Sequence, residues 1–312
     1  MKREIQKIAV TITATIIAFW LLDFGIGKFF DTMISHMPPD GERVAKSYFA
    51  LHRVNADMLI IGSSRAETAY DSRILMDSLP GLSVYNCGGD AQEFYYCNTL
   101  INCILDRYTP QVIVWDFKER QLGIPPKENL SLIYPYYWTN SYIRQVLDRH
   151  EGSSFKYIMQ LNTYRYNATA GRILRSVFAS QTAAQSSTLG FGGRPVNRRI
   201  TLTPKDFKIT DGELDPDIVR EFKATVRRIK HAGSKLFIVI SPMYDEYNQD
   251  NFYTRETSQL CQELGITFID DSHLEGFTHN KEYAFDNYHI NINGAEVFTR
   301  HFASQLKEYL GK

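Results

Sequence analysis

The sequence predicts an α/β protein: a three-layer α/β/α sandwich built on a parallel five-stranded sheet, with one membrane-crossing helix at the N-terminus. Three observations carry this expectation. Short apolar runs alternate with longer amphipathic ones through most of the chain, the pattern of a parallel sheet covered by helices on both faces. An uncharged apolar stretch follows a basic start, at about the length that crosses a bilayer. With 312 residues and 44% hydrophobic composition, the chain can also bury a substantial core.

Residues 1–28 read as the anchor. Lys2, Arg3 and Lys7 precede an uncharged run from Ile8 to Leu22; Asp23 interrupts it, and Phe24 to Ile26 extend it. The basic flank leaves the rest of the chain on the far side of the membrane, which predicts a single-pass cell-membrane protein with an extracytoplasmic domain. Gly25-Ile26-Gly27-Lys28 is a poor cleavage site, so the segment reads as an uncleaved anchor rather than a removed signal. Residues 29–54, with Pro38-Pro39-Asp40-Gly41, read as a polar connector.

The remaining residues, 55–312, read as one domain. Its strands are expected at Met58 to Ile61, Leu82 to Tyr85, Val112 to Trp115, Lys235 to Ile240 and Ile266 to Ile269. Helical patterns fall near Glu67 to Leu79, Ala91 to Arg107, Pro216 to His231, Asn251 to Leu264 and Gly294 to Leu310. Asp90 and Asn293 each stand three residues before a glutamate, which predicts capping boxes at the starts of two helices. Residues 121 to about 205 break the alternation and are rich in Tyr, Asn, Arg and Ser. A structureless loop of that length is improbable, so Ser141 to Leu147 and Phe155 to Ser176 are expected to be helical, in an insertion over the sheet's active edge.

Charge excludes some functions. With 35 acidic and 35 basic side chains the net charge is zero, so nothing argues for nucleic acid as a partner. Cys87, Cys97, Cys103 and Cys261 follow no metal-ligand spacing, so no metal and no cofactor are expected, and disulfide pairing is not readable.

The chemistry resides in two distant segments. Ile61-Gly62-Ser63-Ser64-Arg65 sets serines straight after a buried strand, and Asp286-Asn287-Tyr288-His289 sets an acid three residues before a histidine. A serine hydroxyl is a poor nucleophile unless an imidazole takes its proton, and a carboxylate fixes that imidazole's tautomer. Taken singly, the serines read as helix caps, Asp286 as a turn residue and His289 as a loop residue; taken jointly, they form a Ser/His/Asp set. Ligands of parallel sheets bind past the carboxyl ends of the strands, where Ser64 and Gly88-Gly89 both fall.

These residues resemble the SGNH/GDSL hydrolase superfamily over roughly residues 55 to 310, with its Gly-x-Ser segment after the first strand and its Asp-x-x-His segment before the last helix. Gly62-Ser63-Ser64 matches Gly-Asp-Ser with serine in place of aspartate. The resemblance implies Ser64 as nucleophile, His289 as general base and Asp286 as the orienting carboxylate. The Ser64 N–H, at a helix N-terminus, is one oxyanion donor; the resemblance adds Gly88, with Gly89 close behind, from Asn86-Cys87-Gly88-Gly89. The family's third segment carries an asparagine that donates to the oxyanion, whereas this chain has Asp116, which when ionised only accepts. Lys118, Arg65 and Arg120 are candidate substitutes, and Arg65, Asp116, Lys118 and Tyr244 are candidate substrate contacts. His273 and His279, just before the catalytic loop, read as incidental.

Divergent members that modify cell-envelope polymers, such as the D-alanyl transfer protein of teichoic acid synthesis and the alginate O-acetylation proteins, are similar in pairing an anchor with an altered first segment. The resemblance implies an esterase or O-acyltransferase acting on O-acetyl or similar esters of an extracytoplasmic glycan, with the membrane and a membrane acyltransferase as partners. Two alternatives stand beside it: a non-catalytic, membrane-tethered glycan-binding or scaffold protein, and an esterase for free lipid or small-molecule esters.

Overall fold

In the computed structural model, residues 2–40, 42–124, 127–179, 188–197 and 199–311 are described, with the side chains of 177–179 set aside. The helices are α1 (Lys2–His36), α2 (Arg43–His52), α3 (Ser64–Ala69), α4 (Ser72–Ser78), α5 (Phe94–Leu105), α6 (Ser141–Glu151), α7 (Phe155–Ile158), α8 (Asn162–Tyr166), α9 (Ala170–Ala179), α10 (Pro216–Ala232), α11 (Phe252–Leu264) and α12 (Ile292–Leu310). The strands are β1 (Met58–Ile61), β2 (Val84–Asn86), β3 (Val112–Asp116), β4 (Asp206–Phe207), β5 (Lys235–Ile240), β6 (Glu246–Tyr247) and β7 (Thr267–Asp270). The chain forms two compact units, one of Met1–Tyr48 with Leu130–Ala184 and one of Phe49–Asn129 with Gln185–Lys312.

The second unit holds the expected sheet: five parallel strands in the order β2-β1-β3-β5-β7. Side chains alternate between its faces. Met58, Ile60, Val112, Val114, Phe237 and Val239 share one core with the residues of α3, α4 and α12. Trp115 points the other way, into an aromatic stack with Phe94 of α5, Phe117 and Phe222 of α10. The free edge at β2 is partly closed by Leu189, whose carbonyl accepts from the Asn86 N–H at 2.9 Å.

Several boundaries differ from the sequence expectation, each for a local reason. The pattern from Glu67 to Leu79 is two helices, because the extended Tyr70 lets the Asp71 side chain accept from the Arg73 N–H and begin α4. The second strand is Val84–Asn86 rather than Leu82 to Tyr85, since Leu82 N–H closes a turn on Leu79. Neither predicted capping box forms. The α12 cap is Asn291, which accepts from the Asn293 and Gly294 N–H groups while its own amide donates to Glu282 and Ala284 carbonyls. Asp90 does not cap α5. The buried Glu128 carboxylate reaches in from a distant segment and accepts from the N–H groups of Glu93, Tyr95 and Tyr96 at 2.8–3.0 Å.

Burial raises the Glu128 carboxyl from 4.5 to about 7 in spite of those three donors. A carboxyl raised by folding holds its proton in the native state while the unfolded chain has lost it. Its contribution is therefore present in full below about pH 4.5 and fades as pH rises through 7, by about 3 kcal/mol. Urea unfolding at pH 5 and pH 8 measures this difference, and Glu128→Gln is expected to flatten it; an unchanged slope in the variant would assign the pH dependence elsewhere.

Residues 29–54 are mostly helical rather than a polar connector. Helix α1 runs on to His36 because Phe30, Ile34 and Met37 bury themselves with Val44, Tyr166 and Ile173. Asp23, read as an interruption, is buried, and its carboxylate accepts from the backbone N–H of Asn162 and Thr163 and from their side chains at 2.8–2.9 Å, satisfying the start of α8. The preceding stretch of α1 is different: its apolar side chains, Ile8, Ile12, Phe19 and Leu22 among them, are exposed, and α1 is long and apolar enough to cross a membrane.

The tyrosine-rich insertion has its own interior. Tyr134, Tyr137, Phe155 and Tyr164 pack ring against ring, Tyr137 donates to Asp148 at 2.6 Å, and Tyr166 stacks on Phe30. The pattern from Phe155 to Ser176 is three short helices, α7 to α9, instead of one.

Candidate active site

Ser64 is placed by the sharp turn that ends β1. Gly62 has φ +155°, and a Cβ there would stand 2.8 Å from both the Asp116 carbonyl and the Ala66 methyl, so only glycine lets the chain turn this tightly against β3. Ser63 caps α3, its hydroxyl accepting from the Arg65 N–H at 3.3 Å. Ser64 is left as the first residue of the helix with its hydroxyl directed elsewhere.

That direction is toward His289. The ring Nε2 stands 2.7 Å from Ser64 Oγ, and the ring Nδ1 stands 2.8 and 2.9 Å from the two oxygens of Asp286. Asp286 also accepts from the N–H groups of Tyr288 and His289, both at 2.8 Å, so the Asp-x-x-His segment closes on its own carboxylate. Burial alone would raise the Asp286 carboxyl, but the His289 ring and these N–H groups outweigh it and hold it below the ordinary carboxylate range. An ionised Asp286 fixes the proton on Nδ1, which leaves the lone pair of Nε2 facing the hydroxyl. The Asn291 cap pins the base of this loop to α12.

A cavity of about 390 Å³ opens at this point, lined by Ser64, Arg65, Lys118, Glu119, Arg120, Tyr247, Tyr288 and His289, all of the second unit. Tyr247 is held by the short parallel pair β4 and β6, its ring stacked on Phe207 at 4.9 Å.

The expected oxyanion donors fare unequally. The Ser64 N–H lies in the first turn of α3, where N–H groups have no intrahelical acceptor. Gly88 and Gly89 do not offer free N–H groups: Gly88 donates to Asn86 Oδ1 at 2.9 Å and Gly89 to the Gly62 carbonyl at 3.2 Å. A Cβ on Gly88 would lie 2.6 Å from Glu67 N, so this glycine serves the close packing of loop on helix. The Asn86 amide donates to the carbonyls of Ala66 and Tyr70, which holds the loop in this state.

Of the four candidate substrate contacts, Arg65 and Lys118 line the cavity, and Asp116 and Tyr244 do not. Asp116 is buried and accepts from the Tyr70 hydroxyl at 2.6 Å; burial raises its carboxyl, opposed by Arg65 and by that hydrogen bond. Tyr244 is buried against Leu202 and Ala284. Arg65 Nη1 donates to Glu119 Oε1 at 2.6 Å, and Nη2 donates to the Ser241 carbonyl. Burial would lower the guanidinium, but the adjacent Glu119 carboxylate and then Asp116 raise it. Lys118 donates to Glu93, and Arg120 lies over the Tyr253 ring.

Sequence reasoning missed Glu119, Tyr247 and Tyr288. Tyr288 sits within the Asp-x-x-His segment and Glu119 beside two residues already singled out, so position in the motif was the available signal; Tyr247 had none. All four cysteines are buried thiols. Among the described residues, one group has the arrangement of metal ligands: Asp206, Glu246 and His279, whose ligating atoms lie within 4.8 Å of one another.

No family model and no curated protein matches the chain. Among solved structures it is similar to the psychrotrophic esterase EstA from Pseudoalteromonas sp., at 10% identity and a TM-score of 0.41, over 82% of this chain and 98% of that one. It is also similar to a protein from Streptococcus pneumonia assigned provisionally as a platelet activating factor, at 13% identity and a TM-score of 0.39, over 94% of this chain and 98% of that one.

Proposed function

We propose that this chain is a membrane-anchored serine esterase or O-acyltransferase of the SGNH type, acting through an acyl-enzyme on O-acetyl or similar esters of an extracytoplasmic glycan. The observation that carries the reading is the unbroken hydrogen-bond path from Asp286 through His289 to Ser64 at the wall of a cavity. Ser64 Oγ bonds to the acyl carbon as His289 Nε2 takes its proton. The ester C–O bond then breaks, and His289 returns the proton to the departing alkoxide. In the second half the acyl group passes to water or to a sugar hydroxyl by the same steps in reverse.

The resting site offers the Ser64 N–H to the oxyanion, and Lys118 and Arg120 place positive charge at the cavity wall. Tyr247 and Tyr288 suit a sugar ring, whose C–H faces pack on aromatic surfaces. The anchor is α1. Its last turns belong to the core of the first unit through Phe30 and Ile34, which argues for retention after translocation rather than removal as a signal.

A second reading, a tethered glycan-binding scaffold without turnover, is favoured by the bonded Gly88 and Gly89 N–H groups and by Asp116, which replaces the asparagine that the resemblance expects and does not line the cavity. A fluorophosphonate that labels activated serines separates the two. The esterase reading expects labelling of the parent protein and none of Ser64→Ala; an unlabelled parent would leave the scaffold. Acetate release from an O-acetylated glycan, with and without an unacetylated acceptor, then distinguishes hydrolysis from transfer.

A further inference from the structure

The first unit exposes a further apolar and aromatic surface near the point where α1 turns from exposed to buried. Ile5 to Leu22 spans about 27 Å at 1.5 Å per residue, close to the hydrocarbon thickness of a bilayer, with Lys7 in its first turn and able to reach back to the headgroups. Asp23 follows at once, and its carboxylate is bound to the start of α8. The contacts then fix the direction of α8. Its first residue, Asn162, packs on Asp23 and Gly27, and its last, Tyr166, stacks on Phe30 at 5.2 Å and donates to Asp31. The two helices therefore run the same way, and the turn entering α8 lies at the level of Asp23 or on the N-terminal side of it.

That turn exposes apolar and aromatic side chains. Tyr157 is 66% exposed and Ile158 39%, and Leu161 N–H closes the turn on the Ile158 carbonyl. Trp138, 45% exposed, is tied to the same turn by its indole N–H, which donates to the Met159 carbonyl at 2.8 Å. Each ring has a cation over it, Arg144 over Trp138 and Lys156 over Tyr157. Tryptophan and tyrosine with neighbouring Arg and Lys are the side chains that settle at the headgroup level, the ring against the acyl boundary and the charge among phosphates.

We propose that Trp138, Tyr157 and Ile158 lie in the interfacial layer of the bilayer that α1 crosses, a second lipid contact that sets the first unit's depth against the membrane. The inference rests on the reading of α1 as an anchor. The chain has three tryptophans, and two of them report on the two claims separately: Trp20 lies on the exposed apolar part of α1, and Trp138 on the proposed surface, whereas Trp115 is fully buried in the sheet's core.

The test reconstitutes the full-length chain into phosphatidylcholine vesicles brominated on the acyl chains near the headgroups and measures tryptophan quenching. Trp20→Phe isolates Trp138 over the Trp115 background, Trp138→Phe isolates Trp20, and the double variant gives the background alone. The expected result is quenching of both Trp20 and Trp138 beyond that of Trp115. Quenching of Trp20 with Trp138 no more affected than Trp115 would overturn the interfacial contact while leaving the anchor, and the patch would fall to a protein or glycan ligand. An unquenched Trp20 would remove the anchor and this inference together.

Discussion

Ser64→Ala is expected to lower ester turnover by about 10⁴- to 10⁶-fold with the fold intact, measured on an aryl acetate and on an O-acetylated glycan. The hydroxyl bonds to nothing in the core that its loss would unsettle: it faces His289 Nε2 at 2.7 Å across the cavity wall, and Ser63 rather than Ser64 caps α3. His289→Ala is expected to cost a similar factor, because a hydroxyl without a base and a base without a hydroxyl fail at the same step. The double variant is then expected to be no slower than either single one, since the pair acts as a unit. Losses that multiply would show that the two groups act in separate steps and do not share a proton. Asp286→Asn keeps the hydrogen-bond geometry but offers the imidazole a donor as well as an acceptor, so the proton can reside on Nε2; the expected loss is about 10⁴-fold.

The parts of this site that were legible in the sequence were those fixed by local rules. Met58–Ile61, Val112–Asp116 and Lys235–Ile240 are apolar almost throughout because both faces of the sheet are covered, and such runs can be read without a structure. Ser64 and His289 could be matched because each stands at a fixed offset from a strand end or a helix start. What escaped were groups whose partners are remote in the chain. Glu128 caps α5 from more than thirty residues away, in place of the capping box that the Asp90-to-Glu93 spacing predicts. Asn86 and Gly88 look like a free donor loop in sequence, and only the three-dimensional packing on α3 shows their amides already spent on one another and on Ala66 and Tyr70. The tyrosines from 134 to 166 carry a composition that suits either a binding surface or a core. For Tyr134, Tyr137 and Tyr166 the rings of Phe155 and Phe30 decide for the core, whereas Tyr157 stays at the surface.

Glu119→Ala is expected to destabilise the second unit by about 3–5 kcal/mol, the usual cost of stranding one buried charge by deleting its partner. Arg65 and Glu119 are only 5% and 6% exposed, so solvent screens the pair little and its loss is felt as that of a buried ion pair. Arg65 cannot shed its charge either, since the guanidinium stays protonated in any protein. The same arginine joins three strand ends at the cavity: it follows Ser64 after β1, pairs with Glu119 beyond β3, and donates to the Ser241 carbonyl after β5. Loss of Glu119 should therefore reach the nucleophile through α3, and turnover is expected to fall along with the urea midpoint. Pairing the change with Arg65→Met separates the charge from the packing, because Arg65→Met/Glu119→Met removes both ions of the pair, and the buried Asp116, freed of the guanidinium, is pushed further toward its neutral form. This double variant's stability is expected to recover most of the loss while its activity does not, as the tether between the three strand ends is gone. A Glu119→Ala protein within about 1 kcal/mol of the parent would mean that Arg65 is solvated in solution, since exposed pairs are worth no more than that. Arg65 would then count as a cavity cation available to substrate instead of a brace behind Ser64.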